Sequence, residues 1–163
     1  MKIKNLLKFT VSTTLIMILL SSCLKTKKYE EQEAEEIQNY LEAHPELDFE
    51  LQESGLYYLD KVVGTGAQPV TSDTVFVYYT GTFLNGSVFD SNVDDDPYGF
   101  PVDESWVIPG FDEGVMLMKV GGTASLLIPS AIGYGNSGYS MPAYTPLLFT
   151  VTLDSIAPGP NHK

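Results

Sequence analysis

The sequence predicts an α+β fold, in which one short helix covers the apolar face of an antiparallel sheet. Several segments between residues 56 and 156 are rich in Val, Tyr, Phe and Leu and alternate between two faces, as strands do. A single segment in the same region, Phe111 to Met118, has the spacing of an amphipathic helix. About 100 residues are enough for one hydrophobic core. We therefore expect one globular domain over residues 56–158.

The first 22 residues have the pattern of an export signal. Three lysines precede an apolar run, residues 9–20, which is short for a membrane span of about 20 residues. An uncleaved anchor and an apolar helix of the fold are the alternatives. Residues 20–23, Leu-Ser-Ser-Cys, resemble a bacterial lipobox, and this implies cleavage before Cys23 and lipidation of its thiol.

Lipidation of Cys23 would hold the mature protein on a bacterial membrane, because each buried acyl methylene adds about 0.8 kcal/mol. Leu24 follows the cysteine, where Asp would be the familiar signal for retention in the inner membrane. We therefore expect a lipoprotein of the outer membrane that faces the periplasm. Cys23 is also the only cysteine, so no intrachain disulfide can form.

The chain is strongly acidic, with 21 Asp and Glu against 9 Lys and Arg among its 163 residues. Loss of the three signal lysines would leave a net charge of −15, because 6 basic residues would face 21 acids. Nucleic acid and anionic lipid surfaces should repel such a protein, so we expect no nucleic-acid partner. We interpret the charge as a source of solubility rather than as a site for a specific cationic partner.

Residues 23–55 are predicted to be a spacer that begins at the lipid anchor. Tyr29 to Ala43 is rich in Glu and places its apolar residues roughly on one side, which predicts a helix that ends before Pro45. A helix this short is marginal in water without packing, and this favours a solvated spacer. The alternative is a helix that dimerises or binds client proteins.

Strands are predicted over Leu56–Val63 and Asp73–Leu84. A tight hairpin should follow at Asn85-Gly86, since both residues tolerate positive φ, and the return strand covers Ser87–Asp90. Residues 94–96, three consecutive aspartates, are predicted to be a solvated loop because they lack the alternating ligands of a calcium loop.

The second half of the domain should begin with a short extended segment, Trp106–Ile108, which leads into the helix. Two further strands cover Thr123–Ile128 and Leu147–Ile156, and a long loop rich in Gly, Tyr and Pro connects them. The chain from Pro158 onward is expected to fray, with residues 159–163 as a tail.

Four segments and Phe149 carry the chemically informative residues: 77–81, 88–91, 107–114 and 132–135. They place many aromatic and branched side chains near one carboxylate, that of Asp90. No nucleophile with a base and no ligand cluster for a metal is nearby, so we expect no cofactor and no metal. A pocket of this kind can bind an apolar group, exclude water and lower a rotational barrier.

The order and spacing of four motifs resemble the FKBP family of macrolide-binding peptidyl-prolyl cis/trans isomerases. The motifs are Tyr79-Thr80-Gly81, Phe89-Asp90, Val107-Ile108-Pro109-Gly110 and Tyr134-Gly135, and the resemblance covers residues 56–156. It implies a half-barrel antiparallel sheet wrapped around the short helix, with a proline-binding pocket between them. It also implies an enzyme, a peptidyl-prolyl isomerase or rotamase.

Carried over by position, the resemblance implies five catalytic residues: Tyr79, Phe89, Asp90, Ile108 and Tyr134. It implies four further substrate-binding residues: Tyr98, Val107, Phe111 and Phe149. The aromatic rings would form the walls and floor, while the Ile108 N–H and the Tyr134 hydroxyl would meet substrate carbonyls. Trp106 is expected to pack outside the pocket, because its face alternates with that of Val107.

Two departures from the family pattern make macrolide binding a weaker expectation than isomerase activity. The floor is often Trp in the family but is Phe111 here. Acids follow Asp90 where some members have an Arg that pairs with the equivalent Asp. Asp90 therefore needs another donor, such as the hydroxyl of Tyr79.

The predicted function is to accelerate rotation of X-Pro bonds in exported proteins, as a folding assistant for proline-containing polypeptide clients. The alternative is a non-catalytic FKBP-like chaperone or peptide-binding module that holds extended chains. A structural β-domain lipoprotein without a prolyl pocket is a third interpretation, because each aromatic taken singly could be plain core.

Overall fold

The computed structural model describes residues 26–136 and 141–160. Its contacts divide the chain into two compact units, Met1–Glu36 and Ile37–Lys163. Helix α1, residues 26–43, contains the boundary between them and begins three residues before the predicted start. The export signal and Cys23 lie outside the described residues. None of the described helices is long and apolar enough to cross a membrane.

The described part of the second unit forms a seven-stranded antiparallel sheet. The order across it is β1-β2-β6-β7-β3-β4, and β5 also pairs with β3. The strands are β1 (Glu50–Leu51), β2 (Tyr57–Val62), β3 (Thr74–Phe83), β4 (Val88–Ser91), β5 (Tyr98–Pro101), β6 (Thr123–Ile128) and β7 (Leu147–Ala157). The predicted antiparallel sheet and its connection by a hairpin at Asn85-Gly86 are therefore confirmed.

Strand β3 is the element that organises the sheet. Val75 and Val77 are fully buried on one of its faces, as the sequence alternation predicts. One long edge of β3 pairs with β7 over Thr74–Phe83. Its other edge pairs first with β5 and then with β4, so these two short strands lie one after the other along β3.

Helix α2 (Pro109–Leu117) packs against the concave side of this sheet. Pro109 suits its first position, where the backbone N–H would have no helical partner. Phe111 and Val115 point into the core, and Gly114 lets the helix approach β6, because a Cβ there would lie 2.5 Å from Leu126 Cδ1. The predicted helix is confirmed, although it starts at Pro109 and Met118 is buried just beyond its end.

Some local predictions differ from the structure. Strands β1 and β5 are too short to produce a recognisable alternation, and the sequence did not predict them. The chain around Trp106 bends instead of extending, and Asp103 and Ser105 before it have positive φ values of 62° and 59°. The expectation that the chain frays from Pro158 is wrong as far as Gly159, whose N–H donates to Asp73 Oδ1 at 2.7 Å.

Candidate active site

An open cavity of about 460 Å³ lies at one end of the sheet, above helix α2. Its walls come from β3, β4, β5, β7 and two loops, and α2 supplies its floor. The lining residues are Tyr79, Asp90, Tyr98, Trp106, Val107, Ile108, Pro109, Phe111, Tyr134 and Phe149. A proline ring and its flanking backbone are small enough for a cavity of this size.

Phe111 forms the floor of the cavity and is only 4% exposed. Its ring meets Phe149 at 5.1 Å between centroids and 72° between planes, and Tyr79 at 5.8 Å and 78°. These edge-to-face contacts are favourable beyond the area they bury, because the positive edge of one ring meets the negative face of the other. The floor and two walls therefore form one rigid aromatic cluster.

Gly81 on β3 is what lets two rings of this region approach the strand. A Cβ at this position would lie 2.6 Å from Phe89 Cζ and 2.8 Å from Phe149 Cε1. The two rings also contact each other edge-on, with 5.5 Å between centroids. Phe89 is thus packed behind Phe149, and it fixes the position of a pocket wall.

The carboxylate of Asp90 stands at the side of the cavity on β4. Tyr79 Oη donates a hydrogen bond to Asp90 Oδ2 at 2.7 Å, which confirms the donor expected from the sequence. Burial is the main cause that raises the pKa of the Tyr79 hydroxyl, and the bond to Asp90 raises that pKa further. The hydroxyl therefore stays protonated and continues to donate at neutral pH.

The loop after Asp90 is tied to β3 by Asn92. Its Oδ1 accepts the Tyr79 N–H at 2.7 Å, and its Nδ2 donates to the Val77 carbonyl at 3.0 Å. This side chain replaces strand pairing at the gap between β4 and β5. It holds the backbone of Tyr79 in place where the hydroxyl of the same residue meets Asp90.

Ile108 brings a backbone donor to the opposite side of the cavity. It is the N-cap of α2, with φ −62° and ψ 142°, and its carbonyl accepts the N–H groups of Phe111 and Asp112 at 3.0 and 3.1 Å. Within residues 26–136 and 141–160, its own N–H has no hydrogen-bond acceptor. A donor beside an open cavity is available to a ligand, since a backbone N–H without a partner is costly to desolvate.

Tyr134 closes the cavity from a loop that follows a short 3₁₀ helix, Ser130–Ile132. Gly135 beside it has φ 67°, and its N–H donates to the Ser130 carbonyl at 2.8 Å. Burial first and the charge of Asp90 second raise the pKa of the Tyr134 hydroxyl. Tyr134 and Asp90 therefore face the same space.

The fold agrees with the comparisons with known proteins. A family model described as FKBP-type peptidyl-prolyl cis-trans isomerase matches residues 66–154, more than half of the chain. This chain belongs to the FKBP family. The match confirms the resemblance that the sequence motifs carried, and the neighbouring structures confirm the predicted FKBP-like fold.

Individual FKBP relatives match most of this chain. The FKBP-type peptidyl-prolyl cis-trans isomerase FkpA of Aeromonas hydrophila is 46% identical over 117 residues, which cover 68% of this chain and 43% of that protein. The crystal structure of FkpA from Escherichia coli has a TM-score of 0.72 and 31% identity, and covers 94% of this chain and 73% of that one. The crystal structure of AtFKBP13 has a TM-score of 0.62 and 32% identity, and the match covers 68% of this chain and 99% of that chain. This chain spans half or less of the length of the first curated relatives it matches.

Eight of the nine residues carried over from the FKBP pattern line this cavity. The ninth, Phe89, contacts Phe149 from behind and does not line it. Their roles in binding and catalysis stay predictions. Among the described residues, no group of three or more His, Cys, Asp and Glu side chains is placed to hold a metal ion.

The prediction that Trp106 packs outside the FKBP pocket is wrong. Trp106 is one of the residues that line the cavity, and it is 65% exposed. The alternation argument requires a strand, whereas residues 102–107 turn and bend. The polar run Asp103-Glu104-Ser105, typical of a turn, was the signal in the sequence that could have corrected this prediction.

Proposed function

We propose that this protein is a peptidyl-prolyl cis-trans isomerase that accelerates rotation of X-Pro bonds in exported proteins. The observation that carries the proposal is the N–H of Ile108, which has no acceptor among the described residues and lies beside a cavity with Phe111 as its floor and aromatic rings as its walls. A donor in this position can hold a peptide carbonyl while an apolar ring sits on the floor. No bond to the protein needs to form.

Rotation about a peptide bond has a barrier of about 18–20 kcal/mol, because rotation breaks the amide resonance. The cis and trans forms of X-Pro are close in energy, yet they exchange over tens to hundreds of seconds. The twisted state is less polar than the planar one. A cavity that excludes water therefore binds the twisted state better than the planar state, which lowers the barrier.

Each side chain of the cavity has a part in this mechanism. Phe111, Tyr79 and Phe149 hold the prolyl ring through contacts that do not oppose its rotation. The Ile108 N–H and the Tyr134 hydroxyl hold the flanking carbonyls. Asp90 fixes the Tyr79 hydroxyl and supplies a local negative field. We assign no proton transfer to Asp90, because rotation about the peptide C–N bond makes and breaks no covalent bond.

The clients of this isomerase are proline-containing polypeptides at the periplasmic face of the outer membrane. The lipobox-like residues 20–23 and the basic start of the chain support lipidation at Cys23. Mass spectrometry of the membrane fraction should find acyl chains on Cys23 and no residues before it. Cys23→Ala should move the protein out of the membrane fraction, and retention of that variant would contradict the anchor.

The activity is tested by the exchange of a proline peptide, followed by NMR in the presence of the full-length protein. Ile108→Pro removes the N–H while keeping a backbone that proline accepts, since the φ of Ile108 is −62°. We expect turnover to fall roughly three- to tenfold, as for loss of one hydrogen bond. Ile108→Val is the matched control, because it shortens the side chain but keeps the donor.

Two results would contradict parts of the proposal. If Ile108→Pro and Ile108→Val are both folded and turn over the peptide equally fast, the Ile108 N–H has no role in the mechanism. If the wild-type protein binds the peptide without accelerating its exchange, the second candidate function applies, a module that holds extended chains. The smaller floor that Phe111 provides favours that candidate, because a looser fit discriminates less between planar and twisted states.

A further inference from the structure

Trp106 is a large aromatic side chain at the mouth of the cavity, and the proposed mechanism gives it no part. It is 65% exposed, although it lines the same space as Phe111 and Ile108. A single exposed apolar side chain is ordinary, but tryptophan is enriched at binding surfaces, and this one also lines a cavity. Trp106 is also the only tryptophan in the chain.

The loop that carries Trp106 is anchored at its first residues. The Asp103 N–H donates to Asp112 Oδ2 on helix α2 at 2.9 Å, and Thr71 Oγ1 donates to Asp103 Oδ2 at 2.9 Å. Asp103 and Ser105 adopt left-handed backbone conformations, with φ values of 62° and 59°. Trp106 therefore lies three residues after an anchored position, in a loop that is held to helix α2 and to Thr71 through Asp103.

The charge around this mouth has one sign. Asp90 is the only acidic side chain among the described residues that line the cavity, and Glu104 lies two positions before Trp106. Residues 56–158 contain eleven Asp and Glu but only two lysines, Lys61 and Lys119. In the part of the chain that the structure describes, neither lysine forms a salt bridge with Asp90 or Glu104.

A tryptophan at the mouth of an acidic cavity is suited to binding a cation. Lysine and arginine side chains bind to the face of tryptophan through its negative π surface, and arginine also stacks on it. The carboxylates attract the same groups and repel acidic ones. An uncharged apolar side chain would gain the stacking contact but not the attraction.

We propose that Trp106 is a specificity-determining residue that favours substrates with a lysine or arginine next to the proline. This inference rests on the proposed function and adds the substrate class. With the prolyl ring on the floor of the cavity, the neighbouring side chain reaches the mouth, where the indole and the carboxylates contact it. Acidic neighbours meet the same carboxylates and are disfavoured.

The test compares NMR exchange rates for one host peptide in which the residue before the proline is Lys, Leu or Glu. A second series varies the residue after the proline. We expect the Lys peptide to exceed the Glu peptide roughly fivefold or more in at least one series, through the cation–π contact and the charge together. The ratio should decrease at about 0.5 M salt, because salt screens the exposed carboxylates.

Two substitutions separate the indole from the charge. Trp106→Leu should reduce the Lys-to-Leu ratio about two- to fivefold, the factor of an exposed cation–π contact, whereas Trp106→Phe should retain part of it. Glu104→Gln should reduce the Lys-to-Glu ratio without abolishing it. Equal rates for Lys and Glu peptides in both series, or ratios that Trp106→Leu leaves unchanged, would overturn the proposal.

The same peptides keep the proposal testable if the protein is not a catalyst. Absence of any exchange enhancement would overturn the proposed isomerase function. Calorimetric titration of the Lys, Leu and Glu peptides would then decide the preference by affinity, with the same ratios expected. Equal affinities for the three peptides would overturn the role of Trp106.

Discussion

The hydroxyl of Tyr79 on strand β3 donates a hydrogen bond to the carboxylate of Asp90 on β4, with 2.7 Å between Oη and Oδ2. These strands pair directly, and Gly81 lies opposite Asp90 in their register. The hydrogen bond links Tyr79, a wall of the cavity, to Asp90, the only acidic residue among the described residues that line it. It gives Asp90 a donor where an arginine partner is lacking.

Removal of this hydroxyl should weaken both the fold and the site. Tyr79→Phe keeps the ring contacts with Phe111 and Phe149 but loses the donor, so we expect a loss of about 1 kcal/mol in the free energy of unfolding. Turnover of a proline peptide should fall several-fold, because the field around the carboxylate changes. Urea denaturation and NMR exchange measure the two effects. Asp90→Asn is the matched control, since its amide oxygen still accepts from Tyr79, and an equal loss of stability in it would contradict this account.

Turnover should depend little on pH between about pH 6 and pH 9. The described lining residues include no histidine, and the pKa values of the Tyr79 and Tyr134 hydroxyls are raised above their ordinary value of 10.0. A rate profile that is flat within about twofold is therefore expected. A step centred near pH 6.5 would show that an ionisable group outside this set controls the rate.

The same tyrosines predict loss of stability in alkali. The pKa of the Tyr79 hydroxyl is near 10.0 in the unfolded chain and higher in the folded protein. The stability that this hydroxyl contributes is therefore fully present below pH 10 and is lost as the pH rises through the pKa of the folded state. The urea midpoint should therefore decrease above about pH 10. Tyr79→Phe should make that decrease shallower, and an unchanged slope in this variant would contradict the assignment.

The stability that Asp112 contributes, relative to a neutral asparagine in its place, should be greater in weak acid than at neutral pH. Burial is the main cause that raises the pKa of this carboxyl above 3.8; the Asp103 N–H lowers it, and the charge of Asp103 raises it. Its Oδ1 is buried without a hydrogen-bond partner in the described residues. Because the folded pKa is raised, the contribution to stability is present at low pH and lost as the pH rises through that pKa.

The comparison that tests this is Asp112→Asn against the wild type. Unfolding in urea at pH 7 and pH 4 gives two differences in free energy between the proteins. The difference should move in favour of the wild type at pH 4, because only the carboxyl can take up a proton there. If the difference in unfolding free energy is the same at pH 7 and pH 4, or favours the variant more at pH 4, the raised pKa of Asp112 is contradicted.

Gly114→Ala should destabilise the protein even though alanine is the better helix former. The gain in helix propensity is about 1 kcal/mol. A Cβ at Gly114 would lie 2.5 and 2.6 Å from the two methyl carbons of Leu126, and overpacking of this kind costs about 1–3 kcal/mol. Urea denaturation should show a net loss, whereas Glu113→Ala, the adjacent helical position, should stay within about 0.5 kcal/mol. A gain in stability for Gly114→Ala would mean that β6 yields to the extra methyl.

The long elements could be predicted from the sequence because their signal is local. Strand β7 and the start of β3 alternate between two faces, β6 is a continuous apolar run, and Pro109 with the spacing of Phe111 and Val115 marks the helix. Asn85-Gly86 predicted the hairpin because the conformation is chosen by the residues of the turn themselves. Strand β5 was missed, because four residues paired to a distant strand carry too little periodicity.

The cavity could be predicted only as a set of residues. The resemblance to the FKBP pattern gave eight of its lining residues, but not the position of Phe89 behind Phe149 or of Trp106 at the mouth. Both depend on packing between elements far apart in the chain. The close approach at Gly81 decides the first, and the loop anchored by Asp112 decides the second.

By itself, the sequence determined the family, the antiparallel sheet around one helix and the aromatic character of the site, because periodicity, turn residues and motif order are properties of neighbouring residues. The tertiary structure alone decided that Tyr79 donates a hydrogen bond to Asp90, that the Ile108 N–H has no acceptor among the described residues, and that Trp106 lines the cavity. The first of these contacts links β3 to β4, and the last depends on how the loop of residues 102–107 is held to α2. Distances across such joints follow from the packing of the whole core, which no local pattern encodes.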